Sequence, residues 1–96
     1  VRAPMVGHMG DGNFHVVLPY DPAKKEMYKQ IRAFNDTLIK KALELNGTIT
    51  GEHGVGLHKK EYLLEQHPDN IPVMKSIKRT LDPNNIMNPG KIFDLN

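Results

Sequence analysis

Met5-Val6-Gly7-His8-Met9-Gly10-Asp11-Gly12-Asn13-Phe14-His15-Val16-Val17-Leu18 sets the architecture of this chain. Two apolar, partly β-branched runs flank a glycine-rich break. Asp-Gly between such runs predicts a β-hairpin, because a type I′ turn needs φ > 0 at both central residues. With Asp11 and Gly12 as the two loop residues, His8 falls directly opposite His15. Cross-strand Cβ atoms on one face lie about 4.5–5.5 Å apart, so the two imidazoles would stand level. Gly10, Asn13, Val6 and Val17 share their face. Met5, Met9, Phe14 and Leu18 make an apolar stripe on the other, suited to packing on a helix.

Outward from the hairpin, Pro19 ends the second strand. Asp21-Pro22 opens a helix, with Asp as N-cap and Pro at the first helical position. Met27, Ile31, Phe34, Leu38, Ala42 and Leu45 recur at helical spacing, and Asn46-Gly47 supplies the stop. Thr48-Ile49-Thr50 reads as a short third strand, followed by the glycine-rich turn Gly51-Glu52-His53-Gly54-Val55-Gly56. Further helices are predicted over Lys59–Gln66 and Ile71–Thr80. The tail from Leu81 to Lys91 is turn chemistry almost throughout. The class is α+β with a small antiparallel sheet and one domain over residues 1–96. Three strands make a small sheet, so a partner domain or subunit is expected to complete it.

Composition narrows the function. The 96 residues carry 13 Lys+Arg and 11 Asp+Glu, a formal charge of +2 that leaves no nucleic-acid footprint. The absence of Cys excludes disulfide scaffolds, Cys-ligated zinc, iron–sulfur clusters and thiol chemistry. No apolar run is long enough to span a membrane or to form a signal peptide. A cytoplasmic location is expected, at most peripheral to a membrane. The chain begins with Val1 rather than Met, the expectation being a processed protein or a piece of a longer one.

Two level histidines suggest a metal site, and Glu52 is the best third ligand. Two imidazoles and one carboxylate leave coordination positions open, a pattern that suits zinc, manganese or non-haem iron. His53 points the opposite way from Glu52 in an extended segment and is then free to act as a general base. The competing readings are plain ones: two surface histidines beside a turn, and a solvated Glu-His-Gly bend. Lys24 to Lys41 reads as a wetted helix face. Neither glycine-rich stretch matches a phosphate-binding loop.

His8-Met9-Gly10-Asp11-Gly12-Asn13-Phe14-His15, then Gly47 to Gly56, then Leu81-Asp82-Pro83 through Asn88-Pro89-Gly90-Lys91, taken in this order, resemble the C-terminal part of FAD-linked oxidases. The similar group comprises glycolate oxidase, D-lactate dehydrogenase and D-2-hydroxyglutarate dehydrogenase. The resemblance covers nearly the whole chain. It implies a ferredoxin-like cap that shapes the substrate pocket over a flavin, with the FAD-binding domain absent from this chain. It implies zinc or manganese at His8, His15 and Glu52, with His53 as the catalytic base. Asn88 and Asn13 are the residues assigned to the cofactor side. The implied reaction oxidises a 2-hydroxy acid to a 2-oxo acid. Val17 stands where relatives acting on 2-hydroxyglutarate carry a polar substrate contact, which disfavours a dicarboxylate.

On this reading the isolated chain retains no FAD, has no dehydrogenase activity and self-associates through uncovered apolar surface. Two readings from other classes compete with it. One is a non-catalytic interaction module that uses the long helix. The other is a metal-dependent hydrolase that uses the same His8, His15, Glu52 and His53.

Overall fold

The computed structural model describes residues 2–96. They fall into two compact units, one extending to Glu52 and one from His53 to Asn96. The α+β class holds: a two-stranded antiparallel sheet and three helices.

In the first unit β1 (Met5–Val6) pairs with β2 (His15–Val16), Met5 opposite Val16 and Val6 opposite His15. The hairpin therefore forms, but its register is two residues away from the one a two-residue turn would give. The cause lies in the turn. Met9–Asp11 make a 3-10 turn, and Gly12 alone takes the left-handed conformation at φ +73°. A type I′ turn would force Asp11 there too, at roughly 1–2 kcal/mol for a residue with a Cβ. The longer loop avoids this and spends its polar groups locally. The N–H groups of Asp11 and Asn13 both donate to the His8 carbonyl at 2.9 and 3.2 Å, and Gly12 N–H donates to Met9 O at 3.1 Å. A shift of two residues preserves the side of the sheet, because side chains alternate with period two. His8 thus keeps the face of His15 but becomes its diagonal neighbour instead of standing level with it.

Gly7 permits the hairpin to close. A Cβ there would lie 2.3 Å from Asn13 O and 2.4 Å from Phe14 Cα, both backbone atoms that cannot swing aside. Gly7→Ala is expected to open the hairpin and destabilise the chain by about 1–3 kcal/mol, the usual cost of overpacking. Urea melts, with the amide signals of Asn13 and His15 as local reporters, check this.

The expected third strand does not form: residues 48–50 join no ladder. Thr48 Oγ1 donates to Thr50 O at 2.8 Å, which ties the segment into a local turn, while Ile49 is buried. A hydroxyl that satisfies a carbonyl two residues on competes directly with strand pairing. The apolar stripe of the hairpin is likewise left uncovered; Met5, Met9 and Phe14 are all exposed.

The long helix α1 spans Lys25–Glu44, shorter at its start than the Asp-Pro signal predicts. Asp21 instead closes its own turn, accepting Ala23 N–H on Oδ1 at 3.0 Å and Lys24 N–H on its carbonyl at 2.9 Å. The helix ends in a left-handed cap. Asn46 takes φ +62° and donates to Leu43 O, and Gly47 N–H donates to Ala42 O at 2.7 Å. This double bond pattern satisfies two of the last carbonyls. The covered face runs through Met27, Ile31, Asn35, Leu38, Ile39 and Ala42. Phe34 and Leu45, placed on the stripe by spacing alone, are exposed.

The second unit contains α2 (Lys60–Gln66) and α3 (Ile71–Leu81), both within a residue of their predicted spans. Leu63 and Ile71 are its buried apolar positions. The tail 83–96 has no helix or strand and is anchored by cations from the two helices. Lys60 Nζ reaches Gly90 O at 3.1 Å and Asp94 Oδ1 at 2.9 Å, Lys78 Nζ reaches Met87 O, and Arg79 Nη2 reaches Leu95 O. Among the described residues no helix is long and apolar enough to cross a membrane.

Candidate functional site

His15 and Glu52 come together from segments 37 residues apart, with Nε2 to Oε1 at 2.6 Å. The hairpin supplies His15 from β2, and the bend after Ile49 supplies Glu52. Both side chains remain partly open to solvent, 29% and 44% exposed. The donor chemistry fits a divalent cation: one imidazole nitrogen and one carboxylate oxygen, each with ligand bonds of about 2.0–2.2 Å. Two donors on one such ion sit roughly 3–3.5 Å apart, so the pair would have to part by less than about 1 Å. The residues present therefore fit the group.

His8 stands apart. The metal-capable grouping among the described residues is His15, Glu52 and His53, with their ligand atoms within 4.8 Å of one another, and it does not include His8. Its backbone carbonyl closes the turn, and its side chain is exposed one diagonal step from His15. Diagonal neighbours are roughly 7–8 Å apart, within reach of an imidazole that rotates inward. His53 follows Glu52 directly in the chain and is exposed. The Asn13 side chain does not project outward from the turn. It packs against Gly51 with Oδ1 buried and without a hydrogen-bond partner.

Asn88 belongs to the second unit, at φ +46° in the tail. It lines a cavity of about 450 Å³ together with Lys78, Met87, Phe93 and Leu95. Asp82, which carries no assigned role in the Leu81-Asp82-Pro83 stretch, also lines that cavity. Asp82 is 6% exposed and accepts N–H groups from Ile86 at 3.0 Å and Met87 at 2.9 Å, together with the Lys78 ammonium. The Lys78 hydrogen bond, reinforced by the Met87 N–H and opposed by burial, lowers its carboxyl to about 2. The signal was available in the sequence. A Lys and an Asp four apart at a helix end, with Pro next, mark a side chain that closes the following turn.

The sequence matches the family described as FAD linked oxidases, C-terminal domain, over residues 1–92. The chain belongs to that family. It is 45% identical over 96 residues to a probable mitochondrial D-lactate dehydrogenase of Danio rerio, covering 99% of this chain and 19% of the relative. It is 44% identical over 88 residues to glycolate oxidase subunit GlcD of Bacillus subtilis, covering 91% of this chain and 19% of that protein. A D-2-hydroxyglutarate dehydrogenase of Stutzerimonas stutzeri is 42% identical over 90 residues, 91% of this chain and 19% of the relative. The chain thus spans about a fifth of the length of the curated relatives it matches. No solved structure matches it.

Proposed function

We propose that this member of the FAD-linked oxidase C-terminal family carries the metal and base side of the active site of a 2-hydroxy-acid dehydrogenase, with the flavin held by the rest of a longer polypeptide. The observation that carries this reading is the 2.6 Å approach of His15 to Glu52. Neither residue needs the other for the fold, since both are partly exposed and an exposed ion pair stabilises little. A contact of that kind, between residues 37 positions apart, is better explained by chemistry than by stability.

His15 Nε2 and Glu52 Oε1 would hold zinc or manganese, with His8 turning in from its diagonal position as third donor. When bound, the cation supplies positive charge to a substrate hydroxyl and carboxylate, and the flavin supplies the hydride acceptor. His53 accepts the hydroxyl proton on a ring nitrogen as the substrate becomes a 2-oxo acid. Asn88 faces the cofactor side. Val17, apolar and half exposed on β2's continuation, favours a short monocarboxylate such as lactate or glycolate over a dicarboxylate.

Two preparations test this. The chain joined to the remainder of its polypeptide should show oxidised flavin absorbance that bleaches with D-lactate or glycolate, and about one equivalent of zinc or manganese. The 96-residue chain alone should be colourless, inactive toward both acids, and self-associating through its exposed Met5, Met9, Leu81 and Ile86. A flavin-free joined polypeptide, or an active isolated chain, would overturn the reading.

A further inference from the structure

The loop that carries Glu52 is seated on the hairpin by a contact that no cation requires. A Cβ on Gly51 would fall 2.3 Å from Asn13 Oδ1, 2.8 Å from its Cγ and 3.3 Å from its Nδ2. The three atoms nearest that position all belong to one side chain. Gly51 does not adopt a positive φ, so alanine suits its backbone and the nearest obstacle is Asn13. Asn13 Oδ1 is buried without a hydrogen-bond partner, a state that costs free energy. Packing, not a polar bond, holds the amide there.

We infer that Asn13 and Gly51 form a spacing key: the amide of Asn13, seated against the bare α-carbon of Gly51, sets the hairpin-to-loop distance that brings Glu52 Oε1 to His15 Nε2. The two contacts run side by side. Asn13 and His15 alternate onto one face of the hairpin, and Gly51 and Glu52 are consecutive. A methyl group inserted at the first contact widens the second, where the whole separation is 2.6 Å. On this inference Asn13 acts as a positioning residue beneath the site. The inference rests on the reading of His15 and Glu52 as cation ligands, and its test separates the two.

The 96-residue chain is followed by the imidazole ¹⁵N signals of His15 without metal, and by calorimetric titration with zinc alone. Gly51→Ala should shift the His15 signals and weaken zinc binding about tenfold or more, the usual effect of disturbing a ligand's support, while the far-UV spectrum stays that of the wild type. Adding Asn13→Gly makes room for the methyl and should recover most of the affinity and the signals. If Gly51→Ala cannot fold but the double variant does, the steric role of Asn13 is supported directly. Unchanged His15 signals in Gly51→Ala, or a double variant as impaired as the single, overturns the key. Zinc binding unaffected by Glu52→Gln removes the cation reading instead, and the metal-free signals still decide the key.

Discussion

Asp82→Asn is expected to release the segment from Pro83 to Lys91 and to flatten the acid side of the chain's stability profile. In the wild type one carboxylate gathers the Lys78 ammonium and the N–H groups of Ile86 and Met87, while Lys78 also holds Met87 O. The amide that replaces it carries no charge and has one acceptor oxygen for three donors. The folded carboxyl sits near 2 against an ordinary 3.8, so the unfolded chain binds the proton first. The stabilisation from Asp82 is therefore complete above about pH 4 and is lost as pH falls through 3.8 toward 2. Over that window the wild type should show a steeper loss of stability than the variant, by up to about one proton taken up on unfolding. Thermal melts between pH 2 and 6 measure the slope, and amide exchange at Ile86 and Met87 measures the local release. A variant with the wild-type slope and unchanged exchange would remove Asp82 as the organiser of this turn.

The same residue shows where the sequence stops being legible. Helices α1, α2 and α3 follow from apolar spacing and from their stops, because those signals are local and mutually consistent. The hairpin follows from Asp-Gly between apolar runs, but its register does not. Register depends on whether Asp11 accepts a left-handed conformation, and the chain instead spreads the reversal over Met9 to Gly12. The segment Thr48-Ile49-Thr50 has the propensity of a short strand but joins no ladder, and the Thr48 hydroxyl takes the Thr50 carbonyl. Of the site, the convergence of His15 and Glu52 matches what residue types alone suggest. The spacing contact of Asn13 with Gly51 does not announce itself, because a glycine beside a functional acid looks like any flexible turn. Asp82 is legible in part: the Lys78 spacing signals the side-chain pair, whereas the backbone N–H groups four and five residues on leave no mark in side-chain spacing.

The uncovered apolar surface fits the same picture. Met5, Met9 and Phe14 on the hairpin, Phe34 and Leu45 on α1, and Leu81, Ile86 and Met87 near the tail are all exposed. Only Ile39, Ile49, Leu63 and Ile71 form the buried apolar positions among the described residues. The chain matches about a fifth of the length of a relative that is 45% identical to it, so in that relative most of the polypeptide lies outside the matched region.

His15→Ala and Glu52→Gln are expected to abolish metal retention, lowering affinity by more than about 100-fold, since removing a ligand exceeds the effect of disturbing its support. His8→Ala should cost less. His8 begins one diagonal step away, so its loss leaves the His15–Glu52 pair with its approach intact. His53→Ala, measured in the joined polypeptide, should leave metal content near wild type and slow flavin reduction by roughly 10²–10⁴-fold, the range of a lost general base. The order of the four variants carries the argument. Metal analysis after dialysis separates holders from the base, and stopped-flow flavin reduction with D-lactate reads the base alone. Equal metal loss in His53→Ala and His15→Ala would make His53 a ligand and end the division of roles. Wild-type flavin reduction in His53→Ala would send the search for the base to another side chain.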